Sequence, residues 1–84
     1  MAVDIKILLG RNVARLRQAR GLTQEELAER AGFSQQYLSG LERGARNPTL
    51  GTIYEVARAL GVSHLDLLAD DDGSGSSTAW LRPS

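Results

Sequence analysis

Four glycines divide the first 61 residues into short blocks, and each glycine is followed within five residues by a serine or threonine. The glycines are Gly21, Gly32, Gly44 and Gly61, and the hydroxyl residues are Thr23, Ser34, Thr49 and Ser63. Glycine is common just after a helix ends, and serine and threonine are favoured where a helix begins. Because no block alternates like a strand, the sequence predicts an all-α fold with five helices, at about 4–20, 24–31, 35–43, 50–60 and 64–69.

Apolar residues recur at helical spacing within these blocks. One face of the first helix carries Ile5, Leu9, Val13 and Leu16, and one face of the fourth carries Leu50, Ile53, Val56, Ala57 and Leu60. A chain of 84 residues, of which 42% are hydrophobic, suffices for one small domain. We therefore expect a compact domain over residues 1–69.

The composition changes after Ala69, where the chain reads DDDGSGSSTAWLRPS. A segment rich in Gly, Ser and Asp buries too little apolar surface to offset the entropy lost on ordering. We predict that residues 70–84 form a disordered tail. Trp80 and Leu81 are its apolar pair, and the sequence leaves open whether they are idle or dock on a partner.

The charges of the chain are unevenly distributed, although the formal net charge is zero. Residues 1–60 hold nine Lys and Arg against six Asp and Glu, an excess of three positive charges, and the remaining segment is acidic. Phosphate responds to local charge, so overall neutrality does not exclude a nucleic-acid partner.

Several classes of site are not expected. Cysteine is absent, which excludes a disulfide or thiolate metal site, and the apolar cluster at 5–9 is too short for a signal peptide or membrane span. We expect a cytoplasmic protein without a membrane partner. His64 lies beside Ser63 and Asp66, but these residues crowd a helix start, where capping is their usual role. We therefore predict no catalytic residue, no metal, no cofactor and no small-molecule ligand, and the chain is not expected to be an enzyme.

A two-helix motif occupies residues 24–43, which read QEELAERAGFSQQYLSGLER. Gly32 can adopt the positive φ that a sharp turn between helices requires. Leu38 and Leu41 lie three residues apart and define the buried face of the second helix. Helical geometry then directs four residues outward, namely Gln36, Ser39, Gly40 and Arg43. These features predict a helix-turn-helix.

Two adjacent glutamines, Gln35 and Gln36, open the second helix of this motif, where they bury no apolar surface. A glutamine side chain offers one donor and one acceptor side by side, which complements the edge of adenine in the DNA major groove. Glu42 leans inward instead, and a buried carboxylate needs a partner. Arg17 on the flank of the first helix is positioned to supply it.

With these features together, the chain resembles the Cro/repressor-type (xenobiotic-response-element-type) helix-turn-helix proteins of phages and bacteria. The resemblance rests on LRQARGLTQEELAERAG, SQQYLSGLERGARNP and ALGVSHLDLL, and it covers about residues 10–69. It implies a compact five-helix domain that binds double-stranded DNA. The second motif helix is especially similar to the recognition helix of lambdoid phage repressors.

The resemblance also implies roles for particular side chains. Gln24 would hold a phosphate, while Gln35 and Gln36 would reach base edges in the major groove. Arg46 and Asn47 would bind the DNA backbone. The residues that flank the glutamines, on bases or phosphates, would be Ser34, Tyr37, Ser39 and Arg43.

The sequence leaves open the roles of two residues on the recognition helix. Tyr37 could contact a phosphate, contact a thymine methyl group or pack partly against the domain. Gly40 stands where relatives often place another reading side chain. This face therefore makes one contact fewer than the resemblance suggests, or it approaches DNA more closely.

A lone domain of this size should bind DNA too weakly to find one site among many competitors. We therefore expect a homodimeric transcriptional regulator, most simply a repressor, on a roughly palindromic operator with half-sites about 10 base pairs apart. Ile7 and Leu8 are one candidate dimer surface. The favoured interface lies toward the C-terminal end of the domain and comprises Tyr54, Val62, Leu65, Leu67 and Leu68.

The alternative function is that of an antitoxin, which would neutralise a protein toxin and repress its own promoter. One fold can host several such functions. The toxin would bind the tail at Trp80 and Leu81, although the tail is short and has no amphipathic pattern.

Overall fold

The computed structural model describes residues 4–69, which form five helices. They are α1 Ile5–Ala19, α2 Gln24–Ala31, α3 Gln35–Glu42, α4 Leu50–Leu60 and α5 His64–Leu68. The five-helix all-α prediction is confirmed, and each helix end lies within one residue of the predicted position. The predicted tail, with Trp80 and Leu81, lies outside the described residues.

The helices begin and end at the capping residues that the sequence indicates. The Thr23 hydroxyl accepts from the N–H of Glu26, and the Glu26 carboxylate accepts from the N–H of Thr23, which completes a capping box at the start of α2. Ser34 caps α3 by accepting from the N–H of Tyr37. Gly32 ends α2 with φ 83°, a conformation that residues with a side chain rarely adopt. The sharp turn into α3 therefore depends on this glycine.

The core lies between the five helices, and the inner face predicted for the motif is confirmed. Leu38 and Leu41 of α3 are at most 1% exposed, as is Leu27 of α2. The other helices contribute Leu9, Val13, Val56, Ala57, Leu60 and Leu67.

Two residues of the predicted apolar faces lie outside this core. Leu50, the first residue of α4, is 85% exposed, and Ile5, the first residue of α1, is 49% exposed. Helical spacing assigns a residue to a face, but these faces extend beyond the core at the start of each helix.

The packing of α5 against α1 corrects one of the interface predictions. The buried Asn12 amide donates to the carbonyl oxygens of Leu67 and Ala69, at 2.7 and 2.8 Å. With α5 held in this way, the Leu67 side chain is fully buried in the core. The prediction that Leu67 contacts a dimer partner is therefore wrong, because this side chain offers no surface to a second molecule.

A close crossing of α1 and α3 fixes the position of the second motif helix. A Cβ atom on Gly10 would lie 2.5 Å from the carbonyl oxygens of both Leu41 and Glu42. No side chain fits in that space, so the glycine allows the two backbones to approach. Gly10 was not among the residues singled out from the sequence.

Candidate nucleic-acid interface

The recognition helix α3 buries its apolar face and exposes its first turn. Gln35 and Gln36 are exposed there, directly after the N-cap Ser34. The Ser34 hydroxyl lies 3.0 Å from the N–H of Tyr37 and accepts from it. The amide groups of both glutamines therefore stand at an accessible helix N-terminus, which also favours negatively charged groups.

An open groove runs beside the two glutamines, between the outer face of α3 and the loop that follows it. The groove is lined by Gln35, Gln36, Ser39, Arg43 and Arg46. Within it, Arg43 Nη1 donates to Ser39 Oγ at 2.7 Å. The fold thus brings together five of the residues predicted to contact DNA. Amides, a hydroxyl and guanidinium groups are the side chains that bind base edges and phosphates.

Glu42, at the end of α3, forms the predicted pair with Arg17. Arg17 donates to both carboxylate oxygens, at 2.7 and 3.1 Å, and also to the carbonyl oxygen of Leu22 at 2.8 Å. The side chains of Arg17 and Glu42 are only 13% and 6% exposed. The pair is therefore confirmed as a shielded, bidentate link between α1 and the recognition helix.

Gln24, the predicted phosphate contact, shares this carboxylate. Its Nε2 donates to Glu42 Oε1 at 2.9 Å, and the residue does not line the groove. A glutamine amide carries two hydrogens, so one remains for a phosphate while the other is directed at Glu42. The structure thus gives Gln24 a defined orientation at the start of α2, and its contact with DNA stays a prediction.

Arg46 folds back over α3. Its guanidinium carbon lies 5.4 Å from the centre of the Tyr37 ring, a cation–π distance. A Cβ atom on Gly40 would lie 3.0 Å from both Cγ and Nε of Arg46. Gly40 was predicted to point outward from α3. It is buried, because Arg46 covers it.

Of the roles considered for Tyr37, the structure shows partial packing. Its ring centre lies 5.1 Å from that of Phe33, and its hydroxyl lies 3.2 Å from Thr52 Oγ1. Thr52 is buried, and its hydroxyl also lies 3.2 Å from that of Thr49. This network ties the recognition helix to the start of α4. Thr52 was not among the predicted residues, because a threonine within a helix gives no signal of a partner 15 residues away.

Asn47 is exposed in the loop after α3, outside the groove. Its contact with the DNA backbone stays a prediction, as does the contact assigned to Ser34.

At the start of α2, the N–H of Thr23 holds the pKa of the Glu26 carboxyl below its usual value of 4.5, and the Thr23 side chain adds to the effect.

Residues 4–69 contain no group of three or more side chains that could hold a metal ion. Within that range, no helix has both the length and the apolar character needed to cross a membrane.

Comparison with known proteins agrees with this geometry. The profile of a helix-turn-helix family, HTH_3, matches residues 13–67. The chain belongs to this helix-turn-helix family. The family comprises transcription regulators that bind double-stranded DNA. The protein is accordingly a DNA-binding transcriptional regulator.

Three relatives illustrate the similarity. An HTH-type transcriptional regulator of Sinorhizobium fredii (strain NBRC 101917 / NGR234), y4dJ, is 61% identical over 70 residues, which are 83% of this chain and 91% of that protein. Control protein C.SmaI of Serratia marcescens is 42% identical over 66 residues, 79% of each chain. The crystal structure of the restriction-modification controller protein C.AhdI from Aeromonas hydrophila superposes with a TM-score of 0.71 at 39% identity, over 73% of this chain and 92% of that one.

Proposed function

We propose that the protein is a cytoplasmic, homodimeric repressor that binds a roughly palindromic operator through α3. The observation that carries this proposal is the groove beside the exposed amides of Gln35 and Gln36. A glutamine can bond bidentately to N6 and N7 of adenine. The two glutamines therefore supply sequence readout, and their position on a helix with a buried inner face keeps that readout directed outward.

Contacts with the DNA backbone would set the register of α3 in the major groove. Gln24 lies at the N-terminus of α2, and Ser34 lies at the N-terminus of α3. Helix N-termini bind phosphates because their free N–H groups and their dipoles both favour an anion. Asn47, in the loop after α3, would hold a third phosphate. These contacts position the protein without reading the sequence.

A second copy of the chain would cover an apolar surface formed by α4 and α5, which we term the α4–α5 surface. Tyr54 and Leu65 are 57% and 55% exposed on it. Val62 and Leu68, the other two residues assigned to this surface, are partly buried against the core. Large apolar side chains clustered on one side of a small domain are typical of an interface. A two-fold axis through this surface would place two recognition helices in successive major grooves.

The competing surface at the start of α1 is less suited to dimerisation. Leu8 is only 8% exposed, so it contributes little to a partner. Ile7 is 49% exposed, and its side chain approaches Gly44 closely. The neighbouring Ile5 is also 49% exposed, but both isoleucines are less exposed than Tyr54 and Leu65 of the α4–α5 surface.

Selection of bound DNA from a random pool tests the proposal. We expect the wild-type protein to enrich one sequence with two inverted half-sites whose centres lie about 10 base pairs apart. Enrichment of a single asymmetric half-site would refute the dimeric arrangement, and the absence of any enriched sequence would refute sequence-specific binding.

A further inference from the structure

The outer face of α3 lacks a side chain at Gly40, and a residue from the following loop occupies the space. Arg46 approaches the Gly40 backbone so closely that an added Cβ would lie 3.0 Å from its Cγ and Nε. Any side chain at position 40 would therefore compete with Arg46 for the same space. The missing side chain of Gly40 leaves space on the outer face of the recognition helix, and the Arg46 side chain occupies it.

The guanidinium group of Arg46 is oriented by its contact with Tyr37. It lies over the Tyr37 ring, and the Tyr37 hydroxyl is in turn within hydrogen-bonding distance of the buried Thr52. A planar guanidinium that stacks on an aromatic ring keeps its fork of donors in one plane. Preorganisation of this kind lowers the entropy lost when the fork binds a ligand.

The direction of Arg46 distinguishes it from a residue that only holds phosphate. Arg46 lines the same groove as Gln35 and Gln36, whereas the neighbouring Asn47 does not. A side chain that lies along a recognition helix points where base edges would be, and one at the rim points toward the backbone.

We propose that Arg46 reads a guanine in the major groove, in place of the side chain that position 40 lacks, and that Gly40 and Tyr37 are positioning residues for it. The guanidinium fork would donate to O6 and N7 of the guanine. This inference rests on the proposed function and departs from the resemblance, which gives Arg46 a backbone contact only.

The test uses the full-length protein and the operator selected by the wild type. A guanine within each half-site is replaced, one position at a time, by 7-deazaguanine, which lacks the N7 acceptor. We expect one position at which this replacement weakens wild-type binding by up to roughly ten-fold, because it removes the N7 acceptor from the bidentate contact and leaves only O6. In the Arg46→Ala variant, the same replacement should cause no further loss of affinity, because the donors that contact N7 are absent. Arg46→Lys should bind the unmodified operator more weakly than the wild type. Lysine keeps the charge but lacks the fork, so Arg46→Lys is the matched control for electrostatics.

A backbone role gives a different result. Arg46→Ala would then weaken binding to operator and scrambled DNA equally and lower the salt dependence by about one unit, while Arg46→Lys would bind like the wild type. That result would overturn the proposal for Arg46 and leave the proposed function intact. If the wild type selects no sequence, both proposals fail together.

Gly40→Ala provides an independent test of the positioning role. The added methyl group meets a flexible side chain, so we expect the thermal midpoint to change little while discrimination at the same guanine falls. Circular dichroism monitors the fold. A folded Gly40→Ala variant that retains full discrimination would overturn the positioning role of Gly40.

Discussion

Arg17 Nε lies 2.7 Å from Glu42 Oε2, and Arg17 Nη2 lies 3.1 Å from Glu42 Oε1. This bidentate pair joins the first helix to the last residue of the recognition helix. Gln24 adds a third hydrogen bond to the same carboxylate, at 2.9 Å. The orientation of α3 toward DNA therefore depends on a carboxylate that DNA itself would not contact.

Removal of one partner should be costly, because it leaves the other charge shielded and unpaired. We expect Arg17→Met to lower the free energy of unfolding by about 3–5 kcal/mol. Arg17→Met combined with Glu42→Gln should recover part of that loss, since no charge is then stranded. Urea denaturation of both variants measures the difference. Equal stability of the single and double variants would show that the pair is not coupled.

The inner face of α3 predicts a contrast between two leucines. Leu38 is fully buried, whereas Leu50 is 85% exposed. Leu38→Ala should cost about 2–5 kcal/mol of stability through lost burial and a residual cavity. Leu50→Ala is the matched control and should change stability by less than about 0.5 kcal/mol. Similar thermal melts for the two variants would contradict the helix phase on which every outward assignment rests.

Most of the fold was predictable because its signals are local. The helix starts at Thr23 and Ser34 follow from side chains that bond backbone groups three residues away. The turn at Gly32 and the buried face at Leu38 and Leu41 likewise follow from neighbours along the chain. Arg17 and Glu42 could be paired because the helical phase of α3 turns Glu42 inward, while Arg17 lies on the flank of α1.

The remaining features depend on contacts that no local pattern encodes. The burial of Leu67 depends on Asn12, whose side-chain amide donates to the carbonyl oxygen of Leu67, a residue 55 positions further along the chain. The covering of Gly40 by Arg46 depends on the path of the loop after α3. Leucine spacing on α5 showed that its leucines could not all face one core, but it could not show which of them would be buried.

The α4–α5 surface predicts the behaviour of a charge substitution. Leu65→Asp should convert a dimer into a monomer, because the residue is 55% exposed and a partner would have to bury the new carboxylate. Sedimentation equilibrium at micromolar concentration measures the mass, with Ile7→Asp as the control for the competing surface. A Leu65→Asp variant that remains dimeric would place the interface elsewhere.

The capping box of α2 predicts a small dependence of stability on pH. The Glu26 carboxyl has a lowered pKa in the folded protein, so the unfolded chain takes up a proton first as the pH falls. The stabilisation by Glu26 is fully present above the usual value of 4.5 and is lost as the pH drops through the lower folded value. The stability difference between wild type and Glu26→Gln should therefore shrink on acidification below about pH 4.5. A difference that stays constant down to pH 2 would contradict the lowered pKa.

In the proposed function, α3 reads sequence through Gln35 and Gln36. The decisive measurement is the affinity of Gln35→Ala and Gln36→Ala for the selected operator and for scrambled DNA of the same length. Gln18→Ala, on the exposed side of α1, is the matched control. We predict a loss of roughly ten-fold on the operator for each recognition-helix variant, little change on scrambled DNA, and no effect of Gln18→Ala. Equal losses on operator and scrambled DNA would contradict base readout by these residues.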